Sequence, residues 1–276
     1  MTTHDRKPGA VGRRGLLAAI GAAGLCAAAP SSAAAARALP LTAQATEGPY
    51  YIDAAKLRSD ITEGLAGVPL EVRFTVLDTA GKPLRGLRMD LWHCDAQGRY
   101  SGFGEQGEDR SLSFEGRTFL RGSQHADRTG AVAFATIYPG WYAGRTTHIH
   151  FKVLNGARTV LTSQFFLPDA LSEYLYAQVA GYKRARLRDT LNSTDGIALK
   201  AGHTVVGAVR EERQRYVATL TLVVDPASSP AAEHPPGPGP NRDAPASGFP
   251  GPGEGPPQPS APEGEARTRA IVPRRA

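Results

Sequence analysis

Cysteine is nearly absent, with two in 276 residues. Cys26 falls in an apolar N-terminal stretch and would be lost with it if that stretch is cleaved. Cys94 is then alone, which excludes an intrachain disulfide and the thiolate cluster of a structural zinc site. The core must therefore hold by packing. The apolar run Leu16 to Ala29 is too short and too rich in Ala and Gly for a membrane span, so none is expected in the mature chain. No basic helix and no nucleic-acid-binding motif is present. The formal net charge is +6, but the arginines are dispersed and several sit at the ends (Arg13, Arg14, Arg267, Arg269, Arg274, Arg275). A solvated surface explains that charge better than an acidic partner, and no nucleic-acid partner is expected.

What is present divides into three parts. Residues 1–36 read as an export signal: Arg13-Arg14, the apolar run, then the Ala-rich stretch Ala33–Ala36. The arginine pair before Gly15-Leu16-Leu17 resembles a twin-arginine signal, whose route carries folded proteins, often with a cofactor inserted; a general secretory signal is the runner-up. The expected location is periplasmic or extracellular. Residues 226–276 are rich in Pro, Gly, Ala and Ser and hold more than half of the 22 prolines. So little apolar surface does not offset ordering entropy, and a disordered tail is expected. Between them, 37–225 reads as one domain.

That domain is punctuated by short period-two segments. Leu70–Leu77 and Leu87–Cys94 alternate apolar and polar residues. Thr118–Gly122, Val132–Tyr138, Thr147–Leu154, Thr159–Phe166, His203–Val209 and Tyr216–Val224 follow, with turn signals such as Asp127-Arg128-Thr129-Gly130 and Asn155-Gly156 between them. Leu171–Ala177 reads as a short helix and Arg188–Gly196 as loop. The spacing predicts a mainly β fold, a β-sandwich core with short helices and long loops.

One stretch carries chemistry. Tyr142, Arg145, His148 and His150 lie in a Gly/Pro-rich loop and the strand it feeds, a usual place for functional residues. On a strand His148 and His150 share a face, with Ile149 and Phe151 on the other. Two imidazoles aimed at one point can chelate a metal, although a His-x-His pair alone is more often a polar outward face. Tyr100 and Tyr142 would add two phenolates, hard anionic donors that favour a hard, highly charged ion such as Fe(III) over zinc. No suitably spaced Glu follows His150, which weakens a cupin-like site. Each residue also has a plain structural role available: Tyr100 as a core aromatic, Tyr142 packed beside Trp141, Arg145 on the surface, Gln164 serving a backbone group. His93 and Cys94 are read as structural.

The ordered set Asp90-Leu91-Trp92-His93-Cys94-Asp95-Ala96-Gln97-Gly98-Arg99-Tyr100-Ser101-Gly102, Phe119-Leu120-Arg121-Gly122, Pro139-Gly140-Trp141-Tyr142 and Arg145-Thr146-Thr147-His148-Ile149-His150 resembles the intradiol ring-cleavage dioxygenases. Thr46-Glu47-Gly48-Pro49-Tyr50-Tyr51, Thr162-Ser163-Gln164-Phe165-Phe166 and Asp189-Thr190-Leu191-Asn192 extend the likeness across roughly residues 41–224. It implies a non-haem Fe(III) enzyme on a β-sandwich, with Tyr100, Tyr142, His148 and His150 as metal ligands. Tyr142 matches the tyrosine that leaves iron when a catecholate binds. Arg145 matches the arginine that stabilises charge developing on the ring, and Gln164 a glutamine near substrate and iron. The implied partners are a catechol-type substrate and O2, and the product a muconate-type diacid. The Tyr142–His148 loop is shorter than in the protocatechuate and catechol enzymes, and the helical dimerisation region of the catechol enzymes has no counterpart before residue 41, so both the substrate and any homo-oligomer stay open. The competing readings are an exported non-catalytic β-sandwich binding module and a catechol- or iron-binding protein.

Overall fold

Alternation along the strands decides the architecture. In β1 (Pro69–Leu77), every second residue from Leu70 to Val76 is buried. Burial alternates again in β4 (Ala131–Ile137), whereas β2 (Arg88–Trp92), β5 (His148–Asn155) and β6 (Arg158–Phe166) are buried almost throughout; β3 (Arg121–His125), β7 (Ala208–Glu212) and β8 (Arg215–Val223) complete the set. The computed structural model describes residues 38–53, 56–230 and 261–272. These belong to one compact unit, Arg37–Ala276. The expected export signal, 1–36, lies outside the described residues.

The strands form two four-stranded sheets, ordered β4-β1-β8-β7 and β3-β2-β5-β6. All neighbours are antiparallel except β1 and β8. Inward side chains of both sheets make one core, including Val72, Phe74, Phe134 and Leu220 from the first and Met89, Leu91, Ile149, Phe151 and Phe165 from the second. Phe74 meets Phe151 at 5.2 Å and Phe165 at 6.2 Å between ring centroids. The expected β-sandwich is the fold.

Period two also dictates what the core cannot hold. With Ile149 and Phe151 inward, His148 and His150 project from the outer face of the second sheet, as do Trp92, Asp90, Lys152 and Gln164 on its neighbours. That face is buried nonetheless, because an extended arm, residues 42–53, and two loops lie over it. The arm is sewn down by Ala45 N donating to Thr162 O at 2.9 Å, by Tyr51 Oη donating to Asp90 Oδ2 at 2.8 Å and by the Lys152–Glu47 ion pair. His93 ties the sheets together. Its Nδ1 donates to Cys94 O at 2.8 Å and its Nε2 accepts from Thr136 Oγ1 at 2.7 Å, the structural role expected of it. Burial holds its pKa down at about 4, so it stays neutral. Cys94 is buried and free, as expected.

Two glycines let the covering loops meet. A Cβ on Gly140 would stand 2.4 Å from Ala96 O and 2.7 Å from Asp95 O; one on Gly98, at φ +82°, would stand 2.2 Å from Trp141 O. The loops carrying Tyr100 and Tyr142 therefore touch backbone to backbone.

Three local expectations shift. The strand placed at Thr118–Gly122 begins at Arg121. The strand placed at His203–Val209 starts as a 3-10 turn, Gly202–Val205, and only then becomes β7. The loop Arg188–Gly196 ends in a short helix, α2 (Gly196–Ala201); α1 spans Asp169–Gln178. A larger correction concerns the tail. Residues 231–260 lie outside the described residues, but Gly264–Ile271 is a helix, α3, within the segment expected to be disordered. The physical reason is an ion pair rather than apolar burial. Arg267, 7% exposed, donates through Nε and Nη2 to the two carboxylate oxygens of Glu173 at 2.8 and 2.9 Å. Ala261 N donates to Asp189 O at 2.8 Å.

Two outcomes test this packing. Gly140→Ala should cost roughly 1–3 kcal/mol of unfolding free energy, read as a lower denaturation midpoint; an unchanged midpoint would contradict the backbone contact. Arg267→Ala removes a fork-to-fork pair to a partly exposed carboxylate, so a loss of about 1–2 kcal/mol is expected in the same measurement, and no loss would show that α3 does not dock on α1.

Candidate metal centre

Four side chains named from the sequence come together on the outer face of the second sheet. His148 and His150 are successive outward residues of β5. Tyr100 follows the turn after β2, and Tyr142 sits in the loop after β4. Tyr142 Oη lies 3.0 Å from His148 Nε2, and His148 Nε2 lies 3.0 Å from His150 Nε2. Tyr100 Oη is 3.5 Å from Tyr142 Oη. Atoms that ligate one ion at about 2.0–2.1 Å stand about 3 Å apart, the spacing found here.

His150 and Tyr100 are held from behind. Trp92, opposite His150 in the β2–β5 register, stacks on it at 5.0 Å and 10°. Gly48 of the arm lies against the other edge, where an added Cβ would be 3.3 Å from His150 Cε1. Tyr50 stacks on Tyr100 at 4.3 Å and 17°, and Gln106 Oε1 accepts from Tyr100 N at 2.8 Å. Tyr100 has no exposure, whereas Tyr142 is half-buried.

The hydrogen bonds assign the imidazole protons. His148 Nδ1 is 2.6 Å from Thr146 O and must donate, so its Nε2 turns a lone pair toward the phenols. His150 Nδ1 is buried without a hydrogen-bond partner, and its Nε2 stands 3.0 Å from the His148 Nε2 acceptor. Burial, with the Arg145 charge adding to it, pushes His148 down to about 3. Burial, then His148 and Arg145, pushes His150 well below the usual imidazole range. Burial likewise raises both phenols. Without a cation this is a neutral, water-poor pocket in which two Nε2 atoms face each other. A cation would reverse the order of these affinities by favouring phenolate and unprotonated imidazole together. Among the described residues no cluster of three or more His, Cys, Asp or Glu side chains could hold a metal, so a metal here depends on the two phenols.

Arg145 and Gln164 join the group. Gln164 faces His150 across the β5–β6 ladder. Its Oε1 accepts from Arg145 Nη2 at 2.5 Å and its Nε2 donates to Thr46 O at 2.8 Å. Burial acts to lower the Arg145 pKa, but Asp195 and the phenols outweigh it and hold the guanidinium charged.

Two residues near this group were not singled out from the sequence. Asp195, 1% exposed, accepts from Arg145 Nε at 2.9 Å and from Thr146 N at 2.9 Å through Oδ2. Its only local signal is that of a helix N-cap before Gly196. Arg121, 3% exposed, appeared only within a motif. It binds Tyr50 O at 2.5 Å through Nη1 and Ser101 O at 2.7 Å through Nη2, which joins the arm to the residue after Tyr100. No carboxylate pairs with it among the described residues, and burial pulls it down to about 10.

Known proteins are similar to this chain in sequence and fold. A family model described as Dioxygenase matches residues 46–201. Catechol 1,2-dioxygenase of Acinetobacter baylyi is 26% identical over 220 residues, covering 70% of this chain and 67% of that protein. Chlorocatechol 1,2-dioxygenase of Cupriavidus pinatubonensis is 29% identical over 135 residues, 44% of this chain and 53% of that protein. The matched stretch thus spans about half to two thirds of these relatives. A solved intradiol ring-cleavage dioxygenase from Tetranychus urticae superposes with a TM-score of 0.64 at 28% identity, covering 70% of this chain and 98% of that one. A family match over more than half the chain, on the same fold, means that this chain belongs to the intradiol ring-cleavage dioxygenase family.

Proposed function

We propose that this protein is a non-haem Fe(III) dioxygenase that opens a catechol-type ring between its two hydroxylated carbons. Both atoms of O2 enter the product, a muconate-type diacid. The observation that carries this reading is the run of donor atoms from Tyr100 through Tyr142 and His148 to His150, each 3.0–3.5 Å from the next. Family membership and relatives named for catechol and chlorocatechol support the substrate class.

The donor set fits a trivalent ion. Two phenolates and two neutral imidazoles bring two negative charges, and phenolate oxygen is a hard donor. A ferric ion held by the four residues supplies Lewis acidity, which acidifies the catechol hydroxyls and polarises the ring toward O2. The protein does the rest. Trp92, Gly48 and Tyr50 keep the donors from turning. The arm and the two covering loops exclude water, which strengthens every charge interaction inside. Tyr142, the less buried phenol, is the ligand placed to give way to substrate, and its Oη can take one hydroxyl proton as it does so. Arg145, with its Nε and Nη2 edges fixed, presents a preorganised cation to negative charge developing on the ring. A non-catalytic binding module has no need of all four candidate ligands together with Arg145.

The reading extends to location. We propose export by the twin-arginine route, supported by Arg13-Arg14 and by a site suited to loading in a folded protein.

Tyr100→Phe and His150→Ala should each lose most of the bound iron, measured on purified protein; full iron retention in either would contradict the ligand assignment. Arg145→Ala should keep its iron and lose roughly 10²–10³-fold in kcat, followed as O2 uptake with catechol. One O2 consumed per catechol, with a muconate-type product, is the outcome expected of the unaltered protein, and no uptake with any catechol would refute the activity.

A further inference from the structure

We infer that Asp195 is the positioning residue for Arg145, setting the orientation of its guanidinium beside the phenols. The inference rests on the proposed ring-cleavage function, in which Arg145 stabilises charge on the substrate ring.

Asp195 is saturated with donors. Oδ1 accepts from Ile197 N at 2.8 Å and Ala198 N at 3.1 Å, the N-cap of α2. Oδ2 accepts from Arg145 Nε and Thr146 N, both at 2.9 Å. A cap needs one side-chain oxygen, and Ser, Thr or Asn supplies it as well as Asp. The second oxygen is what a cap does not require, and it is spent on the candidate catalytic arginine and the backbone next to it. An amide cannot reproduce this, because all four partners are N–H donors and one end of Asn is itself a donor.

The surrounding contacts point the same way. The segment that ends in Asp195 grips the Arg145 loop at two further places. Gly144 N donates to Asp189 Oδ1 at 3.0 Å, and Thr146 Oγ1 donates to Asn192 Oδ1 at 2.8 Å. On the other side of the guanidinium, Gln164 takes Nη2 and is itself held by Thr46 O. Arg145 is thus clamped on two edges, by Asp195 from the chain 50 residues downstream and by Gln164 from β6. Among the described residues no oxygen accepts from the third nitrogen, Nη1. A long side chain held at two edges has one orientation, which is what a preorganised cation needs. Remove Asp195 and the side chain is held by Gln164 alone.

The test is a double-mutant cycle on the full-length, ferric-loaded protein, using Asp195→Asn, Arg145→Ala and the pair, with Asp195→Ser as a control that retains a cap oxygen. The readouts are iron content, anaerobic affinity for catechol by visible absorption, kcat and KM under O2, and melting temperature. Asp195→Asn and Asp195→Ser should keep iron and lose about 10–100-fold in kcat with a smaller change in KM. In the Arg145→Ala background the same changes should shrink to about 2-fold or less. Asp195→Ser should melt below the unaltered protein, because the buried Arg145 guanidinium loses its carboxylate while α2 keeps a cap oxygen. Equal losses of kcat in both backgrounds would overturn the inference and leave Asp195 as a cap for α2. If the unaltered protein cleaves no catechol, the proposed function fails on its own. The cycle then reads in melting temperature: a loss that vanishes without Arg145 supports the pairing, and additive losses overturn it.

Discussion

Two phenols and two imidazoles share a pocket from which water is nearly excluded, and everything around them exists to keep them there. Such a set is unfavourable by itself. Burial disfavours phenolate and imidazolium alike, so without a cation the four groups stay neutral. The convergence persists because three of the rings are fixed from outside the pocket: Trp92 and Gly48 around His150, Thr146 O on His148, Tyr50 on Tyr100. A highly charged cation would make the set favourable, and this is why the donor chemistry bears so directly on the proposed function.

The sandwich supplies the platform, and the covering segments supply the walls. A strand with an apolar inner face has an outer face by default. Here that face is closed over by the arm, which reaches Asp90, Lys152 and Thr162. Arg121 draws Tyr50 and Ser101 together beneath the site through their carbonyl oxygens and the Ser101 hydroxyl. Gly98 and Gly140 allow the Tyr100 and Tyr142 loops to approach within reach of one ion. The outermost support comes from α3, which lies outside the stretch matched by the family model and docks through Arg267 on α1.

What was legible in the sequence follows the range of the interactions. β1 and β5 are readable because polar and apolar residues alternate along them, and the placement of His148 and His150 on one face follows from the same period. The joining of Tyr100 to Tyr142, 42 residues apart, was readable only through the family resemblance. β3 was placed early because its sequence, Arg-Gly-Ser-Gln-His, lacks an apolar alternation. Its polar residues are buried by bonds to distant groups, as in Ser123 with Asp90. Asp195 was passed over because its one local signal is a turn or cap, while its second oxygen serves a partner 50 residues upstream. α3 was lost in a Pro/Gly-rich context because an ion pair to Glu173, not an apolar stripe, holds it.

The account stands most directly on one measurement: the anaerobic visible spectrum of the ferric-reconstituted protein before and after catechol is added. Coordination by Tyr100 and Tyr142 should give a strong tyrosinate-to-iron charge-transfer band that shifts when catechol arrives and Tyr142 gives way. A protein that takes up no ferric iron and stays colourless would contradict the metal centre. A coloured protein whose spectrum ignores catechol would retain the centre and contradict the assigned chemistry.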